Sequence, residues 1–502
     1  MKKTAVFLIL VMLLAGSVPT ASAGTSAQAY LISSPAPLTA AQVAQLRLAG
    51  ANVKYVYQHF GGAAVTISPK KVAKIRLLPF VTSVYEDTHA QLTVSEFASA
   101  SYSTLPGTPW WLDLIDAEQN TTYDGSGVWV AVLDSGFFPN WRDYINESSI
   151  LTQYATAFIG AGGNQNEKKW DNGSTPHGMT MSALITGYWL VDGLNEGGWG
   201  EGYLTGWPGT YWVPGIAPGA KIIPVKVCEP MDCKLSAVNA GIDYIIGIKL
   251  ANPDQPIVIS EGYGHSIFTP LDKAALDAAI SAGVVVVADA GNGGDSGMWF
   301  PGAYEPVISV GAGGWDNQFH NFPDKTWWLE DVPENGVDEV HMHAISSRQL
   351  PGQYLDVVST GRGLLLPFPC PPFTHMAAGN CSSYAIPGGA KSKPYQYNFV
   401  GGTTFSSATI AGIVALMLQK NPALNNSDAT FGTIDDPSSW GPGSLEGLLE
   451  STATPIPPGS VQISFIDGSF ITQCWELPEC PLEATGAGWV FVDDALAAVP
   501  LP

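Results

Sequence analysis

Five runs of the chain are apolar without polar alternation: VWVAVLD, AKIIPVKV, PIVIS, GVVVVADA and PVISVGA. Val and Ile dominate them, which marks parallel strands covered on both faces. Between them lie stretches of helical apolar spacing, such as KLSAVNAGIDYIIGIKLA and PLDKAALDAAISAG. The pattern predicts an α/β protein: a doubly wound, mostly parallel sheet with helices on both faces over residues 109–502. Two Gly/Trp/Asn-rich stretches, 188–214 and 313–350, break the alternation and read as surface insertions.

Residues 24–95 follow a different rhythm. AYLISS reads as a strand, TAAQVAQLRLAG as a helix ending in glycine, and NVKYVYQHF with GAAVTIS as a hairpin about Gly61-Gly62. SPKKVAKIRLLP begins with a serine cap and a proline at the first helical position, and VTSVYED closes the unit as a strand. Strand-helix-strand-strand-helix-strand predicts a small ferredoxin-like α+β plait. EFASASYSTLPGTP then reads as an exposed linker, over residues 96–108.

The first 23 residues carry two lysines, an apolar run and a small-residue ending. That is the pattern of a secretory signal peptide cut after Ala23, and the run is short for a transmembrane anchor. The six cysteines fall in three close pairs, Cys228 with Cys233, Cys370 with Cys381 and Cys474 with Cys480. Local disulfides in a secreted protein are the simplest reading, since the spacings do not repeat as paired zinc-binding units would. A net charge of −22 argues against nucleic acid or an anionic membrane as partner. Only 13% of residues are charged, a composition that also suits acidic surroundings.

Ligands of an open parallel sheet bind beyond the carboxyl ends of its strands. VWVAVLDSG ends there in Asp134, PIVISEGYG in Ser260-Glu261-Gly262, and GVVVVADAGNGG in Asn292. PHGMTMSALITG sets His177 at a helix start, and GGTTFSSATIAG sets hydroxyls at another. Each has an ordinary turn or cap reading when taken singly. Together they can attack an amide. A histidine takes the proton of a hydroxyl, a buried Asp orients the imidazole, and an Asn amide donates to the oxyanion.

These motifs resemble, in order, those of the subtilisin-like serine proteases. VAVLDSG is similar to the family's Asp motif, HGMTMSALITG to its His motif and GGTTFSSATIAG to its nucleophile motif. The resemblance implies Asp134, His177 and Asn292 as triad Asp, triad His and oxyanion Asn. It sets Thr404 where the nucleophilic serine stands and makes residues 24–95 an inhibitory prodomain, a partner in the same chain. It implies polypeptide substrates, pairing with the strand at Ser260, Glu261 and Gly262. Ala288, Asp289, Ala290 and Gly291 would line the primary pocket. The carboxyls of Glu261 and Asp289 there suggest a taste for basic side chains. No cofactor is needed for the chemistry. Family members often bind structural calcium, although no run here identifies its ligands. A β-branched nucleophile is stiff at χ1 and must fit a methyl where serine has hydrogen. The reading is therefore a secreted, slow endopeptidase, and its rival a secreted pseudoprotease that binds or scaffolds.

Overall fold

In the computed structural model, the described residues are 26–92, 95–98, 108–159, 164–173, 175–191, 210–229, 231–315, 336–368, 397–426, 444–456, 459–464, 470–475 and 484–502. The expected signal peptide and the cysteines at 370, 381 and 480 lie outside them; Cys474 lies in a strand whose side chains are not described.

The N-terminal unit runs β1 (Gln28–Ser33), α1 (Ala40–Leu48), β2 (Asn52–Val56), β3 (Gly62–Ile67), α2 (Val72–Arg76) and β4 (Ser83–Glu86). Its antiparallel sheet has the order β2-β3-β1-β4. Thr39 and Gln42 form a capping box that starts α1. Leu46, Ile75 and Val65 fill the small core under the helices. Two further strands follow, β5 (His89–Leu92) and β6 (Ser95–Ala98), and both leave this unit for the larger one.

The larger unit continues with α3 (Trp110–Asp113), β7 (Trp129–Asp134), β8 (Thr156–Ile159), β9 (Asn164–Gln165) and α4 (His177–Thr186). Next come β10 (Gly187–Val191), β11 (Thr210–Pro214), β12 (Lys221–Lys226), β13 (Asp232–Lys234) and α5 (Leu235–Ala251). Then come β14 (Ile257–Glu261), β15 (Tyr263–Gly264), α6 (Pro270–Ser281), β16 (Val284–Asp289), β17 (Ile308–Trp315), β18 (Val340–Met342) and β19 (Val357–Thr360). The last elements are β20 (Leu364–Pro367), β21 (Tyr397–Gly401), α7 (Thr403–Lys420), α8 (Leu445–Thr452), β22 (Gly459–Ser464), β23 (Phe470–Trp475) and α9 (Val492–Ala498).

The main sheet has the order β18-β17-β16-β14-β7-β12-β8-β9, with β19 beside β17. Its β14, β7, β12 and β16 ladders are parallel, and only the edge pairs to β18 and β9 are antiparallel. Along β7, Val130 and Val132 face the layer containing α4 and α7, while Ala131 and Leu133 face α5 and α6. Burial on both faces explains the unbroken apolar runs. The first inserted stretch begins and ends as the hairpin of β10 and β11. The second contributes its ends to the sheet, since Gly313–Trp315 closes β17 and β18 pairs with it.

The N-terminal unit sits on α5 and α6. Asp243 of α5, 2% exposed, accepts from the backbone N–H groups of Gln58 and His59 at about 3 Å and lies 2.9 Å from His59 Nδ1. Asp87 accepts from the N–H of Ser236 at 2.9 Å and from its hydroxyl at 2.6 Å. It thereby supplies, from the other unit, the anionic cap that the N-terminus of α5 lacks. Leu31, Tyr57 and Phe60 join the core beneath the sheet.

Candidate active site

Asp134 ends β7 and is fully buried. Its Oδ2 lies 2.8 Å from Nδ1 of His177, and its Oδ1 accepts the N–H of Ser135 at 2.5 Å. His177 opens α4, is itself fully buried and packs on the Phe405 ring at 5.5 Å. Nδ1 is thus held by the carboxylate, while Nε2 makes no hydrogen bond. This is the orientation a general base needs.

α7 begins at Gly402, whose φ of 131° suits only glycine. Its N–H donates to Gly361 O at 2.7 Å, and Thr403 and Thr404 follow as a buried first turn. Thr404 Oγ1 lies 3.5 Å from the carbonyl oxygen of Gly262. A Cβ on Gly262 would lie 2.6 Å from Thr404 Cγ2 and 2.8 Å from Asp134 Oδ2. Residue 262 therefore stands where aspartate and threonine converge and must lack a side chain. The threonine methyl takes up part of the space that the glycine leaves. Ser406 and Ser407 donate to the carbonyls of Thr403 and Thr404, each at 2.8 Å, so their hydroxyls turn back into the helix.

Asn292 follows β16 in a turn opened by Gly291 at φ 98°. Its Oδ1 accepts the N–H of Thr403 at 3.1 Å, which turns Nδ2 the other way. Oδ1 also lies 3.0 Å from the Thr403 hydroxyl, and Asp289 Oδ1 lies 3.2 Å from that hydroxyl. Thr403 was not singled out from the sequence; its only signal there is a hydroxyl beside Thr404 after two glycines.

β15, Tyr263–Gly264, pairs antiparallel with β5, Tyr263 opposite Leu92 and Gly264 opposite Gln91. β5 pairs on its other side with β13. Ser260 and Glu261 stay inside the main sheet between β16 and β7, with fully buried side chains. Glu261 lines a cavity of about 10 Å³ with Tyr263, His265 and Asp272, room for about one water. Burial, followed by the nearby Asp289 and Asp272 carboxyls, pushes Glu261 up to about 8. Ala288, Asp289 and Ala290 are fully buried as well.

Far along the sheet, Asp356, Glu446 and Glu450 bring their buried carboxyl oxygens within 4.8 Å of one another. Ser309 donates to Asp356 from its N–H and its hydroxyl, and Asn426 Nδ2 donates to Glu446 at 3.3 Å. Burial raises all three, Asp356 to about 7, Glu450 to about 9 and Glu446 well above its usual range; the nearby Asp356 adds to the rise of both glutamates, and Glu305 adds to that of Asp356. Cys228 and Cys233 are joined, closing the turn that enters β13. Among the described residues no helix is long and apolar enough to cross a membrane.

The geometry has known counterparts. The Subtilase family model matches residues 125–468. Subtilisin E of Bacillus subtilis (strain 168) is 26% identical over 412 residues, covering 81% of this chain and 78% of that protein. Serine protease AprX of the same organism is 28% identical over 319 residues, 60% of this chain and 59% of that one. Fervidolysin from Fervidobacterium pennivorans, described as a keratinolytic enzyme related to subtilisin, shares the fold with a TM-score of 0.57 at 19% identity. The match covers 95% of this chain and 62% of fervidolysin. With its parallel sheet, its Asp134–His177 pair and a family match over most of its length, the chain belongs to the subtilase family.

Proposed function

We propose that the protein is a secreted serine-type endopeptidase that uses Thr404 in the serine role. Asp134 orients His177, whose Nε2 takes the Thr404 proton as Oγ1 attacks the peptide carbonyl carbon. The carbonyl π electrons move to oxygen, where Asn292 Nδ2 donates. The intermediate collapses as the protonated His177 gives its proton to the leaving amine. Water then repeats the sequence on the acyl-enzyme. Residues 24–95 act as folding aid and inhibitor, and the bond cut in maturation lies between Leu92 and Ser95.

One observation carries the reading. β5 reaches the cleft strand with Leu92 opposite Tyr263, and β6 resumes with Ser95 opposite Gly401, three residues before Thr404. Backbone pairing thus holds residue 92 at the cleft strand and residue 95 just before α7, an arrangement that suits an extended peptide bound by β-augmentation. The rival reading, a disarmed relative, draws on two facts: Thr404 Oγ1 is turned to Gly262 O, and His177 Nε2 has no hydrogen bond. Expression of the full chain, with N-terminal sequencing of the mature product, separates them. A new N-terminus between 93 and 95 that is absent in Thr404→Ala supports the peptidase. An uncut wild type beside a cut Thr404→Ser supports the disarmed relative. Equal cutting in Thr404→Ala would remove Thr404 from the nucleophile role.

A further inference from the structure

We propose that Trp299 sets the cleavage preference of the site: its indole fills the slot for the side chain that precedes the cut bond. Side chains up to the size of threonine or valine fit there, and aromatic and long basic ones are refused. The inference deepens the peptidase reading above and rests on it.

The slot follows from where the attacked carbonyl has to lie. Its carbon must come within reach of Thr404 Oγ1, and its oxygen within about 3 Å of the Asn292 amide. Thr404 Oγ1 is itself 3.5 Å from Gly262 O. The side chain on the preceding Cα then enters between two backbone segments, 262–264 and 290–293. Gly262 and Gly264 stand on one wall, Gly291 and Gly293 on the other. Walls without side chains leave a gap wide enough for a large substrate group.

That gap holds Trp299. A Cβ on Gly264 would lie 2.6 Å from Trp299 Cε3 and 2.9 Å from its Cβ. A Cβ on Gly291 would lie 2.7 Å from Cγ and 2.9 Å from Cδ2, and one on Gly293 would lie 3.0 Å from Nε1. One indole thus touches both walls, and the three glycines make room for it.

The ring is anchored through its backbone. The Trp299 N–H donates to Ala290 O at 2.9 Å, on one wall. Beyond the other wall, Phe300 and His265 exchange two N–H to O bonds of 2.9 Å. Only rotation about χ1 would clear the slot. It would give up the contacts with three glycines and expose a ring that is now half-buried. The chain's own segment respects the same limit. Residues 92–95, which hold the proposed maturation bond, read Leu-Thr-Val-Ser, with no aromatic or basic side chain. The slot narrows that bond to the one after Thr93 or after Val94.

The test has two arms. The first uses self-processed Thr404→Ser protein and four peptides that differ only before the cut bond, with Ala, Thr, Phe or Lys. kcat/KM for Ala and Thr should exceed that for Phe and Lys by roughly a hundredfold. Trp299→Ala should raise Phe relative to Ala by about tenfold or more. Trp299→Phe should move the ratio partway, and it keeps a ring should the alanine variant not fold. A preference for Phe or Lys in the Thr404→Ser protein, or a ratio that neither substitution moves, overturns the proposal.

The second arm needs no chemistry. The same peptides are titrated calorimetrically into full-length Thr404→Ala. β5 competes with all four alike, so the ratio of their Kd values reads the slot. Ala and Thr peptides should bind about tenfold tighter than Phe and Lys, and the difference should vanish in Thr404→Ala/Trp299→Ala. Equal affinities, or binding of none of the four even with Trp299→Ala, overturn the slot. The expected order of binding with no cleavage by any variant sinks the peptidase reading and leaves the filled slot standing.

Discussion

Asp134 and His177 meet at 2.8 Å with both side chains fully buried, and the far nitrogen of the imidazole makes no hydrogen bond. On the proposed mechanism, the base is thus assembled before the nucleophile is aligned. Rotation of Thr404 about χ1 has to bring Oγ1 from Gly262 O to Nε2, against the stiffness of a β-branched side chain. Thr404→Ser removes that restriction, so hydrolysis of peptide substrates should rise, by about tenfold or more given the cost of roughly ångström misplacement. Thr404→Ala should fall to the residual catalysis of the oxyanion donors, roughly a thousandfold or more below Thr404→Ser. Labelling by a fluorophosphonate probe should follow the same order.

Gly262→Ala tests the same crowding from the other side. The added methyl would meet Thr404 Cγ2, Met181 Sδ and Asp134 Oδ2, all under 3.0 Å. Peptidase activity should drop at least tenfold, with partial recovery in Gly262→Ala/Thr404→Ser, where one of the three obstacles is gone. Equal activity in the two alanine variants would show that the methyls do not compete.

The attachment of the N-terminal unit depends on Asp243, which holds Gln58, His59 and Tyr55. Asp243→Ala leaves those donors without their buried carboxylate. Removing one partner of such a pair costs about 2–5 kcal/mol. Inhibition by the N-terminal unit added in trans should weaken accordingly, read as a rise in Ki, while a surface change such as Lys54→Ala leaves Ki alone.

The Asp356, Glu446 and Glu450 cluster sets a pH dependence of stability. Their folded pKa values lie above those of unfolded carboxyls, which titrate near ~4. The native state then binds more protons than the unfolded state between that range and about 7 for Asp356 or about 9 for Glu450. Stability falls wherever the native state holds the extra protons as pH rises. Calorimetric Tm should be highest in mild acid and decline through neutral pH, with a shallower decline in Glu446→Gln. A Tm that climbs from acid to neutral would mean that a cation, rather than shared protons, neutralises the cluster.

The bridge joins Cys228 and Cys233 across a sequence separation of 5. The chain-entropy treatment gives about 2 kcal/mol for a loop of that size. The Cys228→Ser/Cys233→Ser variant should unfold at correspondingly lower denaturant. It should also hold β5 less firmly, since Cys233 sits opposite Ala90 in the cleft ladder.

The sheet was legible because strands covered on both faces leave continuous Val/Ile runs, and because β7 delivers Asp134 at its tip. The N-terminal plait was legible through its strand and helix periodicity and its hairpin glycines, although the serine expected as a cap, Ser68, makes no cap hydrogen bond and Thr39 does. The burial of Glu261 was not. PIVISEGYG sets one carboxyl among apolar, small and aromatic residues, and nothing in it shows that this side chain turns into the protein. The carboxyl cluster was equally hidden, since Asp356 and Glu446 lie ninety residues apart in a chain where acids are common. The contacts of Thr403 with Asn292 and Asp289 appear only in the structure.

The attachment of β5 and β6 to the larger unit changes what the proposed function asks of its nucleophile. A peptide from solution must find the cleft anew at each turnover, whereas a bond in the same chain is already tethered to the unit that would cut it. A tethered bond reaches an effective molarity that a dissolved substrate does not. Maturation, moreover, is a single event in the life of each molecule. A hydroxyl too sluggish for digestion can still suffice for one intramolecular cut, so selection for self-processing and selection for turnover can part company at this one side chain.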